Sequence, residues 1–333
     1  MMKKQIYSIH KILNKVERKL AQFTSSYIYR TKQIIHVRKL PVISEIGRRI
    51  VRELNREGVA VLHLRELPFS SNLSLLNAME KAVKDLHEAS PDSPRLTEYR
   101  TGFEHCIPIN PTRIAMYYPE LFLWGLDEQL LDIIENCIGL PPAYHGVILR
   151  KEIVDGQQVG SRIWHQDQDD RNIIRVSIYL NDVDEKSGAF EYIPRSLTPS
   201  IRAFKHGPNI LDEHMEEVIP SSKWKTCTGT AGTVVFAAAA KIFHHGKMPL
   251  KERMAASFYY TSRNPSNEKL CREFSFQSGI PFIFQPLTKR QRECLWKYQE
   301  LLPDQNDCFI KTEDSFLLNS KLTALVNKSP FLL

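Results

Sequence analysis

The sequence predicts a mainly β domain with flanking helices, built as an antiparallel sandwich or barrel. Three observations predict it. From about residue 144 the chain becomes a series of strand-like runs, YHGVILRKEIV, IIRVSIYL, GAFEYI, GTVVFAA and MAASFYYTS. They are rich in β-branched and aromatic residues and separated by Gly, Pro, Asn or Asp, as strands joined by turns are. No long helical pattern falls between them, which argues against parallel βαβ units. Helical patterns lie before and after this stretch instead.

Taken in order, residues 1–40 form a basic amphipathic arm. Ile6, Ile9, Leu13, Val16, Leu20 and Phe23 recur every three or four residues, the period of a helix with one apolar stripe. Residues 41–333 then form a single domain with its β core at about 144–263. ISEIGRRIVRELNRE (43–57) places Ile46, Ile50 and Leu54 on one helical face, and Gly58 follows as a C-cap. VAVLHL (59–64) reads as a short buried strand. Two more helices are predicted over 71–88 and 126–138, the second ended by Gly139 and the Pro141-Pro142 pair. After the β runs, LTKRQRECLWKYQELL (287–302) predicts a final helix, with Thr288 and Gln291 spaced as a capping box.

Bulk properties narrow the function. The chain has 333 residues, 42% hydrophobic and 25% charged, enough for a large core. No apolar run approaches the roughly 18 residues of a membrane span. The start, MMKKQIYSIHKIL, lacks the pattern of a signal peptide. Six scattered cysteines with no CxxC pair suggest reduced thiols in a cytoplasmic protein. The net charge of +7 is uneven: residues 1–52 hold 13 Lys or Arg against two acidic residues, +11, which leaves −4 for the rest. Such an arm either lies on an anionic surface such as a membrane or docks its apolar stripe on the body. Docking is the favoured expectation, since solvated lysine faces are common. No RNA-binding motif or zinc-finger spacing is present, so nucleic acid is not an expected partner.

The chemistry concentrates in WHQDQDD, residues 164–170. On an extended strand His165 and Asp167 point to the same face, about 6.6 Å apart at Cα, and can converge on one ion. A second cluster, AKIFHHGKMPLKER, carries His244 and His245 after an apolar strand. One of them completes a set of two histidines and a carboxylate. That set leaves three metal positions open and suits non-haem Fe(II) with oxygen, although a zinc hydrolase uses similar ligands. Strand neighbours face opposite sides, so only one of the two histidines can join. Arg253, nine residues after His244, is expected to return on the neighbouring strand and aim its fork at the metal region, where it matches a carboxylate.

The chain resembles the phytanoyl-CoA dioxygenase family of Fe(II)/2-oxoglutarate oxygenases. The resemblance rests on WHQD (164–167), VSIYLNDVDEKSGAFEYIPRS (176–196) and FHHGK (243–247) with Arg253, with a weaker echo in REGVAVLHL (57–64). It implies a double-stranded β-helix, a jelly-roll, cupin-like barrel with iron in its mouth. It implies His165, Asp167 and His244 as catalytic iron ligands, with 2-oxoglutarate and O2 as co-reactants. Arg253 is implied as the clamp on the far carboxylate of 2-oxoglutarate. Gln166 is a weaker cofactor-binding candidate, because its side chain is expected to face away from the ligands. Arg150, ahead of Lys151, is the candidate for the metal-side carboxylate. The intact Asp167 argues against a halogenase.

This chain departs from the family at PRSL (194–197), at Gly232-Thr233, and in lacking an asparagine after the distal histidine. None of these is an expected ligand, but they loosen any transfer of substrate. The expected activity is hydroxylation of a small molecule, anionic or linked to a carrier or CoA. The competing readings are a barrel that only binds or scaffolds, and the zinc hydrolase. Asp169 and Asp170 are expected to be solvated or paired with Arg171 and Arg175. His105, His145 and His206 are expected to be structural or exposed, and Trp164 to pack in the barrel.

Overall fold

The computed structural model describes residues 23–87, 105–109, 114, 117–205, 209–271 and 287–295. Among these residues nine strands build two antiparallel sheets. They are β1 (Val59–His63), β2 (Cys106–Ile109), β3 (Pro142–Glu152), β4 (Ile174–Tyr179), β5 (Phe190–Tyr192), β6 (Lys225–Cys227), β7 (Thr233–Ala238), β8 (His244–Gly246) and β9 (Met254–Ser262). The larger sheet has the order β1-β7-β4-β9-β3-β2 and the smaller one β6-β5-β8. The chain therefore crosses between the sheets after β4, β6, β7 and β8. This alternation is the double-stranded β-helix, a jelly roll. The domain is mainly β, with helices flanking the sheet.

Alternation along each strand divides the larger sheet into two faces. Val176, Ile178, Val234, Phe236, Ala256, Phe258 and Tyr260 share one core cluster with the buried residues of the helices. Those helices include Glu45–Arg56, Asn72–His87 and Glu128–Ile138. The opposite face carries Tyr179, Val235, Ala237 and Ala255, which pack with Cys227 and Ala189 toward the smaller sheet. This second face lines the barrel. Because both faces are buried, the strands read as nearly unbroken apolar runs.

Local chemistry sets several boundaries. Gly58 and Gly139 have φ of 87° and 75°, the left-handed region where a helix-ending glycine is favoured. Thr288 and Gln291 form the reciprocal capping box of helix Lys289–Cys294, and the rest of that expected helix lies outside the described residues. The five described cysteines are free thiols. No described helix is long and apolar enough to cross a membrane.

Three expectations need correcting. VVFAAAAKIF is not one strand: β7 ends at Ala238, and the chain turns before His244 opens β8 in the other sheet. β9 does not return beside β8, because its neighbours are β3 and β4. Trp164 packs outside the barrel, not in it. It is fully buried with Ile193, Phe204, Ile210 and Phe243 on the outer side of the smaller sheet.

The arm is described only from residue 23. Residues 23–36 are helical and are tied to the body by a buried Tyr29. Gln33 Nε2 donates to Ile138 O at 2.7 Å, and His36 Nε2 meets Glu135 Oε1 at 2.7 Å. Of the predicted stripe, Phe23 is exposed, and the other five positions lie outside the described residues.

Candidate metal centre and the arginine cluster beside it

A backbone bridge assembles the centre. His165 N donates to His244 O at 3.1 Å and His244 N to His165 O at 2.9 Å, so the two residues stand opposite each other at the edge of the smaller sheet. Residues directly opposite in an antiparallel pair project to one side. Asp167 N donates to Ala239 O, which brings the carboxylate in two residues further on. One ligand atom from each of His165, Asp167 and His244 lies within 4.8 Å of the others. Asp167 Oδ1 is 3.7 Å from His165 Nε2 and 3.9 Å from His244 Nε2.

The hydrogen bonds fix which nitrogens face the centre. His165 Nδ1 lies 2.7 Å from Ile163 O, and His244 Nδ1 lies 3.3 Å from Ile242 O. A carbonyl only accepts, so each Nδ1 carries the proton and each Nε2 keeps its lone pair. Burial pushes His244 down to about 3, helped by His165 and Arg175, and burial likewise lowers His165. Both rings are therefore neutral near pH 7, as metal ligation requires. Burial alone would raise Asp167, but the Arg175 guanidinium beside it holds it well below the usual carboxylate range. Metal–ligand bonds of about 2.1 Å put neighbouring ligand atoms ~3 Å apart, so Asp167 Oδ1 would close on each histidine by less than about 1 Å if an ion bound. The His165 side chain is 36% exposed against 5% for His244, so the centre opens on the His165 side.

His245 faces the other way. Its Nδ1 meets Arg162 O at 2.9 Å and its Nε2 meets Glu191 Oε2 at 3.1 Å, while its ring stacks on Trp164. With both nitrogens engaged outside the barrel, it has none left for an ion.

The structure places Arg253 just before β9, with its guanidinium beside Gly246, where a Cβ would stand 3.2 Å from Nη2. Gly246 follows His244 by two residues, so both belong to the same strand face. Arg253 is not alone there. Its Nη2 donates to Glu152 Oε1 at 2.9 Å, and Arg150 Nε lies 3.0 Å from the same oxygen. Arg162 approaches Glu152 Oε2 at 3.8 Å and also pairs with Asp155. Burial alone would raise Glu152, but Arg150 and Arg253 bring it down to about 2. Tyr179 borders Arg253 from β4. Arg253 Nε is buried without a hydrogen-bond partner among the described residues. Among the described residues three arginines face two carboxylates, which leaves one positive charge in excess. An orphaned donor and an excess charge fit one further carboxylate.

The remaining sequence candidates separate clearly. Arg150 faces the barrel with Glu152, while Lys151 points to the other face and pairs with Glu252 at 3.6 Å. Gln166 is partly buried and makes no hydrogen bond among the described residues. Asp169 and Asp170 are buried, not solvated. Asp170 accepts from Ser262 and Ser266 and from Arg171 N, whereas Arg175 goes to Asp167. His105 and His145 are buried structural groups bonded to Ser161 and Thr261, and His206 lies outside the described residues. Sequence reasoning missed Arg175, Glu152 and Tyr179. The one available signal was spacing: Arg150 and Glu152 are two apart on a strand, as are Arg175, Ser177 and Tyr179.

No protein-family model matches the chain, and no curated protein matches it. Solved structures do. The chain is similar to EctD from S. alaskensis with bound Fe, at 20% identity over 68% of this chain and 79% of that one, with a TM-score of 0.44. It is similar to HygX from Streptomyces hygroscopicus with nickel and 2-oxoglutarate bound, at 14% identity over 65% and 87%, with a TM-score of 0.44. It is also similar to SnoN, a non-heme alpha ketoglutarate dependent epimerase from nogalamycin biosynthesis, at 12% identity over 74% and 96%, with a TM-score of 0.45.

Proposed function

We propose that this chain is an Fe(II)- and 2-oxoglutarate-dependent oxygenase of the phytanoyl-CoA dioxygenase kind. Its reaction is hydroxylation of a small molecule, anionic or carrier-linked. One observation carries the reading: His165, Asp167 and His244 converge while Arg253, with an orphaned Nε, stands two residues along the face that bears His244. The three ligands would hold the iron and Arg253 a carboxylate near it, which suits a dicarboxylate cosubstrate. The zinc-hydrolase reading leaves the arginine cluster without a task.

Bound iron supplies oxygen activation, and overall a substrate C–H, O2 and 2-oxoglutarate become C–OH, succinate and CO2. The chain's own residues supply position and charge. His165 and His244 present neutral Nε2 atoms because backbone carbonyls hold the other protons. Asp167 stays ionised against Arg175. Arg253 would hold the far carboxylate of the cosubstrate with Tyr179 beside it, and Phe190 stacks on His244. The substrate enters from the side on which His165 is open.

The test is anaerobic addition of Fe(II) and then 2-oxoglutarate to metal-free protein, watching for the visible charge-transfer band of the chelate. The expected result is a band in the wild type that needs far more 2-oxoglutarate in Arg253→Leu. A folded, iron-loaded protein with no band would overturn the reading in favour of a scaffold or a hydrolase.

A further inference from the structure

A buried glutamate on the cosubstrate arginine is unexpected in a pocket meant for a dicarboxylate. Glu152 sits on β3 opposite Arg253, and its backbone N donates to Arg253 O, so the two side chains share the barrel face. Its Oε1 takes the Arg253 Nη2 hydrogen bond and lies against Arg150 as well. Its Oε2 faces Arg162, which Asp155 and the carbonyls of His105, Gln157 and Ile153 already hold. Glu152 thus touches Arg253, Arg150 and an Arg162 that other groups already hold.

We infer that Glu152 is a resident counter-ion for Arg253 that competes with the incoming carboxylate and sets the affinity of the cosubstrate site. This rests on the oxygenase reading. Without ligand, the glutamate keeps the Arg253 guanidinium from being buried and unpaired, which is costly in a barrel interior. When a dicarboxylate arrives, Arg253 turns its unused donors to it. Glu152 then leans on Arg150 and Arg162, which remain in reach. The single excess positive charge of the cluster makes the exchange balanced: one ligand carboxylate brings the group to neutrality. The cost is repulsion between Glu152 and the ligand, so the site binds 2-oxoglutarate more weakly than the same arginines without the glutamate. Glu152 is a positioning residue, since it acts through Arg253.

The experiment is calorimetric titration of 2-oxoglutarate into anaerobic protein loaded with Mn(II), with thermal unfolding of the same samples. Glu152→Gln is expected to bind 2-oxoglutarate at least roughly tenfold tighter, the scale of one close buried charge contact. The same variant is expected to unfold at a lower temperature without ligand, because three arginines lose their shared partner. A residue with only a structural role would lower both stability and affinity, so weaker or unchanged binding in Glu152→Gln overturns the inference. If Glu152→Gln does not fold, Glu152→Asp serves, because it keeps the charge but withdraws it from Arg253, and it too is expected to tighten binding. Saturable binding to the wild type that Arg253→Leu abolishes, with no gain in either Glu152 variant, rejects the inference and leaves the oxygenase reading standing. Absence of binding in the wild type and in both Glu152 variants rejects both.

Discussion

Arg175 holds one oxygen of Asp167 and leaves the other facing His165 and His244 at 3.7 and 3.9 Å. The carboxylate is thereby split into an outer oxygen that is neutralised and an inner one that is free to ligate. Arg175 is itself fixed from behind, with its guanidinium 4.6 Å from the Tyr259 ring centroid.

Arg175→Leu is therefore expected to strand a buried carboxylate. Removing one partner of such a pair costs about 3–5 kcal/mol. A bound divalent cation replaces the missing positive charge, so the loss is expected to be smaller in metal-loaded protein. Thermal unfolding with and without Mn(II) measures both. Equal losses in the two states would show that Arg175 does not serve Asp167.

Acid should expose the Glu152 cluster. Its carboxyl titrates at about 2 in the folded chain, against an ordinary value of 4.5. Between those values the unfolded chain takes up a proton that the folded one refuses, so stability falls as pH falls. The contribution is complete above about pH 4.5 and is lost as pH drops towards 2, on the order of 3 kcal/mol. Urea unfolding from pH 6 to pH 3 should show the wild type losing its advantage over Glu152→Gln. A gap that stays constant with pH would place the stabilisation elsewhere.

Local signals in the sequence were readable because they act over a few residues. The helix stops at Gly58 and Gly139 and the start at Thr288 follow from backbone and capping chemistry alone. The longer strands announce themselves through β-branched and aromatic residues. Strands β2, β6 and β8 do not, because three or four residues carry no usable period and exist only through their partners. The choice between His244 and His245 has the same cause. Alternation separates the two, but only the register, with His244 opposite both His165 and Tyr192, says which one faces inward. Arg175 and Glu152 sit in strands buried on both faces, where an apolar run hides which side is the barrel. Their partners lie 8 and 101 residues away.

Gly246 is expected to be intolerant of even one carbon. A Cβ there would lie 3.2 Å from Arg253 Nη2, closer than ordinary packing allows, and the guanidinium would have to shift by a few tenths of an ångström. Gly246→Ala should weaken 2-oxoglutarate binding several-fold, since small misplacements of a positioning group are costly. Metal affinity should be unchanged, because His244 keeps its bridge to His165. Parallel titrations of Mn(II) and 2-oxoglutarate separate the two. A loss of metal binding would mean that β8 itself had moved.

Two truncations separate the charge of the arm's first 22 residues from the contacts made by residues 23–36. The helix over 23–36 buries Tyr29, bonds Gln33 to Ile138 O and sets His36 against Glu135. Removing residues 1–40 uncovers core surface, and burial of one large side chain is worth about 1.5–3 kcal/mol. The longer truncation is therefore expected to lower the unfolding temperature by several degrees. Removing only residues 1–22 keeps all of these contacts while taking away Lys3, Lys4, Lys11, Lys15, Arg18 and Lys19. The shorter truncation thus removes these six charges without touching the contacts of residues 23–36. If the basic residues recruit an anionic or carrier-linked substrate, KM should rise in that variant and the rise should disappear at high salt, where charge steering is screened. An unchanged KM at low salt would assign the arm to packing alone.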